Sequence, residues 1–257
     1  MEQNEKIQQL AEWIDHSSYL VIFTGAGVST ESGISDFRSP GGIWERFDVN
    51  EFTYQKYLAS EENRKQSWAL SKETWPVINQ ALPNQGHQAI ADLFAMGKAK
   101  VVITQNIDDL HQKSGIPPEK VIELHGTSKF VYCIECRNRY TREEIQGWLE
   151  GSSAVPECEK CGGILKSGTI AFGEPMPVKE VEMAEDYVMN ADLLIVVGSS
   201  LVVYPAAQLP ITAKRHGAKL VIVNMSTTPH DAYADLTIHG KAGDILPAVV
   251  KLVKEKQ

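Results

Sequence analysis

The 257-residue chain is poor in cysteine, with four, and has no excess of positive charge: 25 Lys and Arg stand against 33 Asp and Glu, a formal net charge of −8. So few cysteines exclude a disulfide scaffold. The acidic balance argues against a sequence-independent grip on nucleic acid or anionic membrane, which needs clustered Lys and Arg. It is compatible with Lys-rich partners. The first twenty residues scatter charges and lack the apolar core of a signal peptide, so the expected location is cytoplasmic. One uncharged stretch, Leu193 to Ala213, approaches the length of a membrane span, but Gly198, Pro205 and Pro210 interrupt it; a buried strand, a loop and a helix fit it better. Internal repeats and low-complexity tracts are absent. What is present is ordinary: 43% hydrophobic residues, enough for a large core, in a length that favours one large domain with at most a small satellite.

Hydrophobic periodicity supplies the fold class. Ile7, Leu10, Ala11 and Ile14 recur at helical spacing, which predicts an amphipathic helix over 4–16. Short continuous apolar runs at 19–23, 100–104, 120–124, 193–197, 219–223 and 235–238 are the pattern of strands buried on both faces. Helical stretches separate several of them, among them 84–96, with Asn84 as its cap, and 244–255. Strands alternating with helices predict an α/β protein with a doubly wound, Rossmann-like parallel sheet. Two stretches break the rhythm. Residues 37–80 are polar and rich in Trp and Tyr, and 127–168 hold all four cysteines. The expected division is a Rossmann-like main domain from 1–36, 81–126 and 169–257, with a helical insertion (37–80) and a cysteine-bearing insertion (127–168) forming a small domain.

The cysteines come as Cys133-Ile-Glu-Cys136 and Cys158-Glu-Lys-Cys161. Two such knuckles in one chain are the signature of a zinc ion held by four thiolates, since the two-residue gap lets both sulfurs of a knuckle converge on one ion. Two redox pairs or unrelated thiols are the competing readings. Four thiolates leave no position for water, so the expected ion is structural.

After the first apolar run comes Thr24-Gly25-Ala26-Gly27-Val28-Ser29-Thr30. Two glycines at i and i+2 in a first strand-to-helix turn let backbone amides approach a pyrophosphate, with the N-terminus of the next helix facing that charge. A tight turn without ligand is the alternative. The later glycine, Gly33, is out of dehydrogenase spacing, and no acidic residue closes a second strand about twenty residues on.

Taken together, the motifs resemble the sirtuin family of NAD-dependent protein-lysine deacylases, in the form of a bacterial-type short member. The matching segments are Gly25-Ala26-Gly27-Val28-Ser29, Gly33-Ile34-Ser35-Asp36-Phe37-Arg38, Thr104-Gln105-Asn106-Ile107-Asp108, Leu124-His125-Gly126, the cysteine pairs, Phe172-Gly173-Glu174, Gly198-Ser199-Ser200-Leu201 and Val223-Asn224, in the family's order over about 19–246. Two positions depart from the pattern: Ser35 stands where the family usually has Pro, and Ser199 where it has Thr.

The resemblance implies cleavage of the nicotinamide–ribose bond of NAD while the acyl oxygen of a modified lysine attacks the anomeric carbon, with His125 as the base for the ribose 2′-hydroxyl. Imidazole suits a base working near neutral pH. By the same resemblance, Asn106 and Ser29 bind ribose or an ordered water. Ile107 and Asp108 hold the nicotinamide carboxamide. Ala26 and Thr30 line the pyrophosphate turn with Gly25 and Gly27, Phe37 and Arg38 close over NAD, and Gln105, Ser199, Ser200, Asn224 and Ala242 contact the dinucleotide. The plainer readings are strand-end turn chemistry for Asn106 and Asp108, a helix cap for Ser29, a core Phe and a solvated Arg. His87 and His111 read as structural.

For the acyl-lysine, the resemblance makes Phe172 a tunnel wall and the Ile170 backbone an acceptor. The segments Gly173, Glu174 and Pro175 and Val202, Val203 and Tyr204 would sandwich the peptide as an added strand; the alternative is that the apolar positions are core. Members that prefer acidic acyl groups carry Tyr and Arg three apart, which Trp68-Ala69-Leu70-Ser71 lacks. The expected activity is therefore NAD-dependent deacetylation of protein lysines, giving nicotinamide, 2′-O-acetyl-ADP-ribose and deacetylated protein. Mono-ADP-ribosyl transfer from the same NAD site is the alternative enzyme reading, and a non-catalytic NAD-sensing module and a dehydrogenase are disfavoured. Expected ligands are NAD and one structural zinc ion, and the expected partners are acetyl-lysine proteins, without membrane or nucleic acid.

Overall fold

The structure, a computed structural model, describes residues 2–36, 47–151 and 154–256. It opens with helix α1 (Gln3–His16), whose first turn is closed by reciprocal bonds between Glu2 and Glu5. Strand β1 (Leu20–Thr24) follows, buried at every position. Helices α2 (Tyr54–Ala59) and α3 (Glu61–Gln80) fill the described part of the first insertion, and α4 (Gln85–Ala95) leads into β2 (Ala99–Thr104). Asn84 caps α4 as expected, accepting from the amides of Gly86 and His87. Next come the short α5 (Leu110–Lys113), β3 (Val121–Glu123), β4 (Gly126–Cys133), β5 (Arg139–Thr141), α6 (Arg142–Glu150) and β6 (Leu165–Thr169). The chain closes with α7 (Val178–Asn190), β7 (Leu193–Val197), α8 (Leu209–Arg215), β8 (Lys219–Asn224), β9 (Leu236–His239) and α9 (Ala242–Lys254).

All six apolar runs are strands of one six-stranded sheet in the order β3-β2-β1-β7-β8-β9, every pair parallel. Alternation along β1 explains the two covering layers. Leu20 and Ile22 face the cluster built with α1, α4 and α9, while Val21 and Phe23 face the cluster built with α7 and α8. Each fully buried Val, Leu, Ile or Phe contributes about 1.5–3 kcal/mol of transfer free energy. That term holds the two helical layers on the sheet.

The strand order reverses between β1 and β7. In an open α/β sheet the crevice beyond the carboxyl ends of the strands at this point is where ligands bind. The loops leaving both strands are joined there: the Gly25 amide donates to Val197 O at 3.1 Å and the Gly27 amide to Gly198 O at 2.8 Å.

One local expectation is corrected. The glycine turn runs into two short 3₁₀ turns, Ala26–Val28 and Thr30–Ser32, and not directly into an α-helix. The crossover helix is α4, displaced along the chain by the insertion and returned in space by Asn84, whose Nδ2 donates to Val28 O at 2.8 Å and Ser32 Oγ at 3.0 Å.

The second insertion contains a three-stranded antiparallel sheet, β5-β4-β6. Its core comprises Trp68 of α3 together with Val131, Cys133, Tyr140, Ile145, Leu149, Cys158 and Leu165. Helical and cysteine-bearing insertions therefore share one apolar cluster. Gly126 starts β4 at φ +69°, and a Cβ there would lie 2.1 Å from Gly168 O, so only glycine lets β4 and β6 meet directly after His125.

Candidate active site

The carboxyl ends of β1, β2, β3 and β7 bring most of the sequence-predicted polar residues together. Ser29, just beyond the glycine turn, does not cap a helix with its side chain. Its Oγ donates to Asp108 Oδ2 at 2.7 Å and accepts from Asn106 Nδ2 at 3.1 Å. Asn106 also donates to Gly25 O at 3.2 Å, and its amide is held by Thr104 Oγ1 at 3.0 Å. All three side chains are buried: Ser29 is 1% exposed, Asn106 7% and Asp108 6%. Burial raises the Asp108 pKa, with the Leu110 amide and the Ser29 hydroxyl pulling the other way.

His125 follows β3. Its Nδ1 lies 3.1 Å from the carbonyl oxygen of Gln105, which only accepts, so Nδ1 carries the proton and neutral imidazole presents Nε2 as a base. Burial lowers the His125 pKa, partly opposed by that same backbone bond. The Gln105 side chain reaches the other way, donating to Ser199 Oγ at 2.8 Å in the loop after β7. Ser199 is 3% exposed and also accepts from the Leu201 amide at 3.3 Å, a hydroxyl function that Ser retains where Thr was expected.

The remaining predicted dinucleotide residues line the same edge of the sheet or lie near it. Thr30 donates to Gly27 O at 3.0 Å. A Cβ on Gly27 would meet Gly198 atoms at 2.8–2.9 Å, which explains why the turn cannot carry a side chain there. Ser200 is exposed; Asn224 ends β8 and donates to Ser226 O at 2.9 Å. Ala242 is buried at the start of α9, where Glu31 already accepts from the Gly243 amide at 2.8 Å. Ile107 is half-buried, and its carbonyl accepts from the Ser128 amide at 3.1 Å and hydroxyl at 2.7 Å. Phe37 and Arg38 lie outside the described residues.

Sequence reasoning placed two histidines outside the site that the structure brings beneath it. His87 Nε2 lies 3.4 Å from Ser29 Oγ, and its Nδ1 faces the Asn84 amide at 3.4 Å, so Nε2 carries the proton toward Ser29. Burial pulls its pKa down to about 4. The His111 ring lies tilted at 58° to the His87 ring, centroids 5.1 Å apart, and bonds Thr24 Oγ1 at 2.8 Å, which in turn donates to Thr104. A histidine three residues after a helix-capping Asn was the one available signal.

On the peptide side, the Ile170 amide donates to His125 O at 2.8 Å. Phe172, Val202 and Tyr204 are 39%, 43% and 62% exposed, which large apolar residues placed in a core would not be. Val203 is half-buried, and its carbonyl accepts from the Ala207 amide. Gly173 offers its carbonyl to Gln55 Nε2 at 3.0 Å, and the Glu174 carboxylate pairs with Lys166 at 2.8 Å, so that side chain is spent within the protein.

The four cysteine sulfurs lie within 4.8 Å of one another. Cys133 and Cys161 approach to 3.5 Å, Cys136 and Cys158 to 3.6 Å. Four thiols this close cannot all ionise without a counter-charge: burial pushes Cys133 up to about 12, while the Tyr140 hydroxyl, 3.2 Å from Cys158, pulls that thiol to about 6. A dication removes the conflict. The set fits a closed structural zinc site.

A model of the Sir2 family matches residues 25–205. The chain belongs to the Sir2 family. This Sir2 chain is 42% identical over 254 residues to an NAD-dependent protein deacetylase of Thermodesulfovibrio yellowstonii, covering 99% of this chain and 98% of that one. It is 44% identical over 238 residues to one from Caldivirga maquilingensis, covering 93% and 90%. A solved Sir2 structure with a p53 peptide and NAD+ superposes at a TM-score of 0.88, 38% identical and covering 98% of each chain. A second Sir2 structure reaches 0.89 at 40% identity, over 99% and 100%. The fold class expected from periodicity is thus that of solved Sir2 proteins.

Proposed function

We propose that this Sir2-family chain is an NAD-dependent protein deacetylase that takes acetyl groups from lysine side chains, giving nicotinamide, O-acetyl-ADP-ribose and deacetylated protein. The observation that carries the reading is the pairing of Gln105 with both His125 and Ser199: one residue ties a base whose Nε2 is the unprotonated ring nitrogen to the loop at the sheet's switch point. When bound, NAD supplies the glycosidic bond that is cleaved and the ADP-ribose that accepts the acetyl group. The residues fit it through a glycine turn that excludes a Cβ and a rim of hydroxyl and amide groups.

His125 Nε2 takes a proton at neutral pH from a hydroxyl presented in the crevice. Asn106 and Ser29 bind ribose or an ordered water, with Ser29 already oriented by Asp108. Ile107 and Asp108 hold the carboxamide, and Gly25, Ala26, Gly27, Thr30, Ser199, Ser200, Asn224 and Ala242 border the dinucleotide; Phe37 and Arg38 are assigned to the same ligand from the sequence motif alone. Phe172 walls the acyl channel, Ile170 O accepts from the substrate amide, and the backbones of 173–175 and 202–204 hold the peptide. The small domain, from 37–80 and 127–168, is stapled by one zinc ion on Cys133, Cys136, Cys158 and Cys161, supported by the apolar cluster both insertions share. Among the described residues no helix is long and apolar enough to cross a membrane. The acidic balance supports protein partners over nucleic acid.

Incubation with NAD and an acetyl-lysine peptide, following nicotinamide, peptide mass and NADH absorbance, tests the reading. Acetyl loss equal to nicotinamide release is expected. A peptide gaining ADP-ribose mass, or NADH formation without acetyl loss, would overturn it.

A further inference from the structure

Strand β6 of the zinc sheet runs directly into the 170–174 segment, and the two are joined by one side chain that no motif singled out. Lys166 is buried, its side chain 12% exposed. Its ammonium lies 2.8 Å from Glu174 Oε2, 2.6 Å from Thr169 O and 3.0 Å from Ser167 O. An ammonium has three protons, and three acceptors surround this one. The ring of Tyr54, at the start of α2, lies 5.9 Å from the same nitrogen.

Glu174 does a second task with the oxygen that Lys166 grips. Oε2 accepts from the Ala171 amide at 2.9 Å, and the Glu174 amide donates to Ala171 O at 3.1 Å, so the carboxylate closes the turn that carries Phe172. The other side of that turn is held by the helical insertion. The Tyr54 amide donates to Phe172 O at 2.8 Å and Gln55 Nε2 to Gly173 O at 3.0 Å. Gly173 sits at φ +76°, a backbone conformation that disfavours any side chain, and a Cβ there would displace the Gln55 amide, 2.6 Å away. Zinc sheet and helical insertion thus meet on one four-residue turn, and the zinc sheet's hold on it is the Lys166–Glu174 pair.

We propose that Lys166 is a positioning residue for the acyl-lysine substrate: by clamping Glu174 it sets the Phe172 turn and transmits the folded state of the zinc sheet to peptide affinity. This rests on the reading of Phe172 as the wall of the acyl channel. Removing the cation leaves a carboxylate that is only 16% exposed without its partner, and such a group finds new contacts or solvent at the expense of the turn.

The test uses the full zinc-loaded chain. Lys166→Met keeps the aliphatic stem and loses the charge; Lys166→Arg keeps the charge. In Lys166→Met the KM for acetyl-peptide rises about tenfold or more, while the KM for NAD stays within about twofold, and Lys166→Arg recovers most of the loss. Amide hydrogen exchange at 171–174 accelerates in the Met variant with zinc still at one per chain. If Lys166→Met loses zinc or fails to fold, Glu174→Gln, which leaves both carbonyl contacts of Lys166 in place, is read in the same way with the same expected rise. Unchanged peptide KM and exchange in the folded variant, or equal rises in both KM values, overturn the clamp. Absence of acetyl-peptide turnover by the unaltered protein overturns instead the acyl-channel reading, and it is visible before any variant is made.

Discussion

The carbonyl oxygen of Gln105 lies 3.1 Å from Nδ1 of His125 and fixes which ring nitrogen carries the proton. Nε2 is left as the basic atom. Because burial lowers the His125 pKa from its ordinary 6.5, the imidazole is neutral and competent at pH 7, and the acid limb of the kcat/KM profile for acetyl-peptide has its midpoint below 6.5. His125→Ala lowers turnover by about 10²–10⁴-fold with zinc retained. A variant that deacetylates at the parent rate would remove His125 from the chemistry.

Ser29 accepts side-chain bonds from Asn106 and His87 and donates one to Asp108 in a buried cluster. Ser29→Ala leaves Asn106 Nδ2 and Asp108 Oδ2 without that partner, at about 1–3 kcal/mol for a buried polar group. The expected result is a fall in kcat/KM for NAD of about tenfold to a hundredfold, at a cost of only a few degrees in melting temperature. Steady-state kinetics with NAD varied, beside a thermal melt, separates the two effects.

His87 is neutral in the folded protein down to about pH 4 and titrates near 6.5 when unfolded. Its folded pKa is depressed, so the stability it permits is full above pH 6.5 and is lost as pH falls from 6.5 to about 4, up to about 3 kcal/mol. Glu123 acts in the opposite sense: burial raises it to about 7, so the folded state gains protons across the same range. The two contributions offset each other in the total. The difference between the parent and His87→Gln isolates the histidine: urea unfolding at pH 7 and pH 5 gives the parent a steeper loss, and equal slopes would contradict the assignment.

Metal removal acts on the small module first. Trp68 is 2% exposed in its core and Trp148 packs against Tyr140 at 5.3 Å, so both report on it. Chelator is expected to shift tryptophan fluorescence and release one zinc ion per chain while the main sheet keeps its cooperative melt. Simultaneous loss of both would mean that the sheet needs the zinc module.

Acetyl-peptide is expected to outpace succinyl-peptide by at least about tenfold, because Trp68-Ala69-Leu70-Ser71 offers no cation to an acidic acyl group, which would be desolvated unpaired. Trp68 points into the small core, and Ser71 is taken by Arg142, whose guanidinium bonds Ser71 Oγ at 3.0 Å and Ser71 O at 2.9 Å. Equal turnover of the two peptides, measured by mass, would refute the preference.

Much of this protein was legible in one dimension. Continuous apolar runs predicted all six strands of the main sheet, because a strand buried on both faces must be apolar at every position, and Asn84 marked its helix by capping chemistry. Cysteine spacing predicted the metal cluster, since each knuckle is closed within four residues. The strands of the zinc sheet were less visible: β5 is three residues long, and β4 has a mixed burial pattern that leaves no clean period.

By itself the sequence determined which chemistry is available: a glycine turn, a histidine in Leu124-His125-Gly126 and four thiols. Only the tertiary structure decided how these groups act on one another. The proton on His125 depends on a carbonyl twenty residues away, and the environment of Ser29 depends on His87 and Asp108 from two other segments. The 171–174 turn is closed by Glu174, which Lys166 of the neighbouring strand grips. Such contacts join residues brought together by the closing of the sheet, and hydrogen bonds and desolvation act over ångströms of space, whatever the separation along the chain.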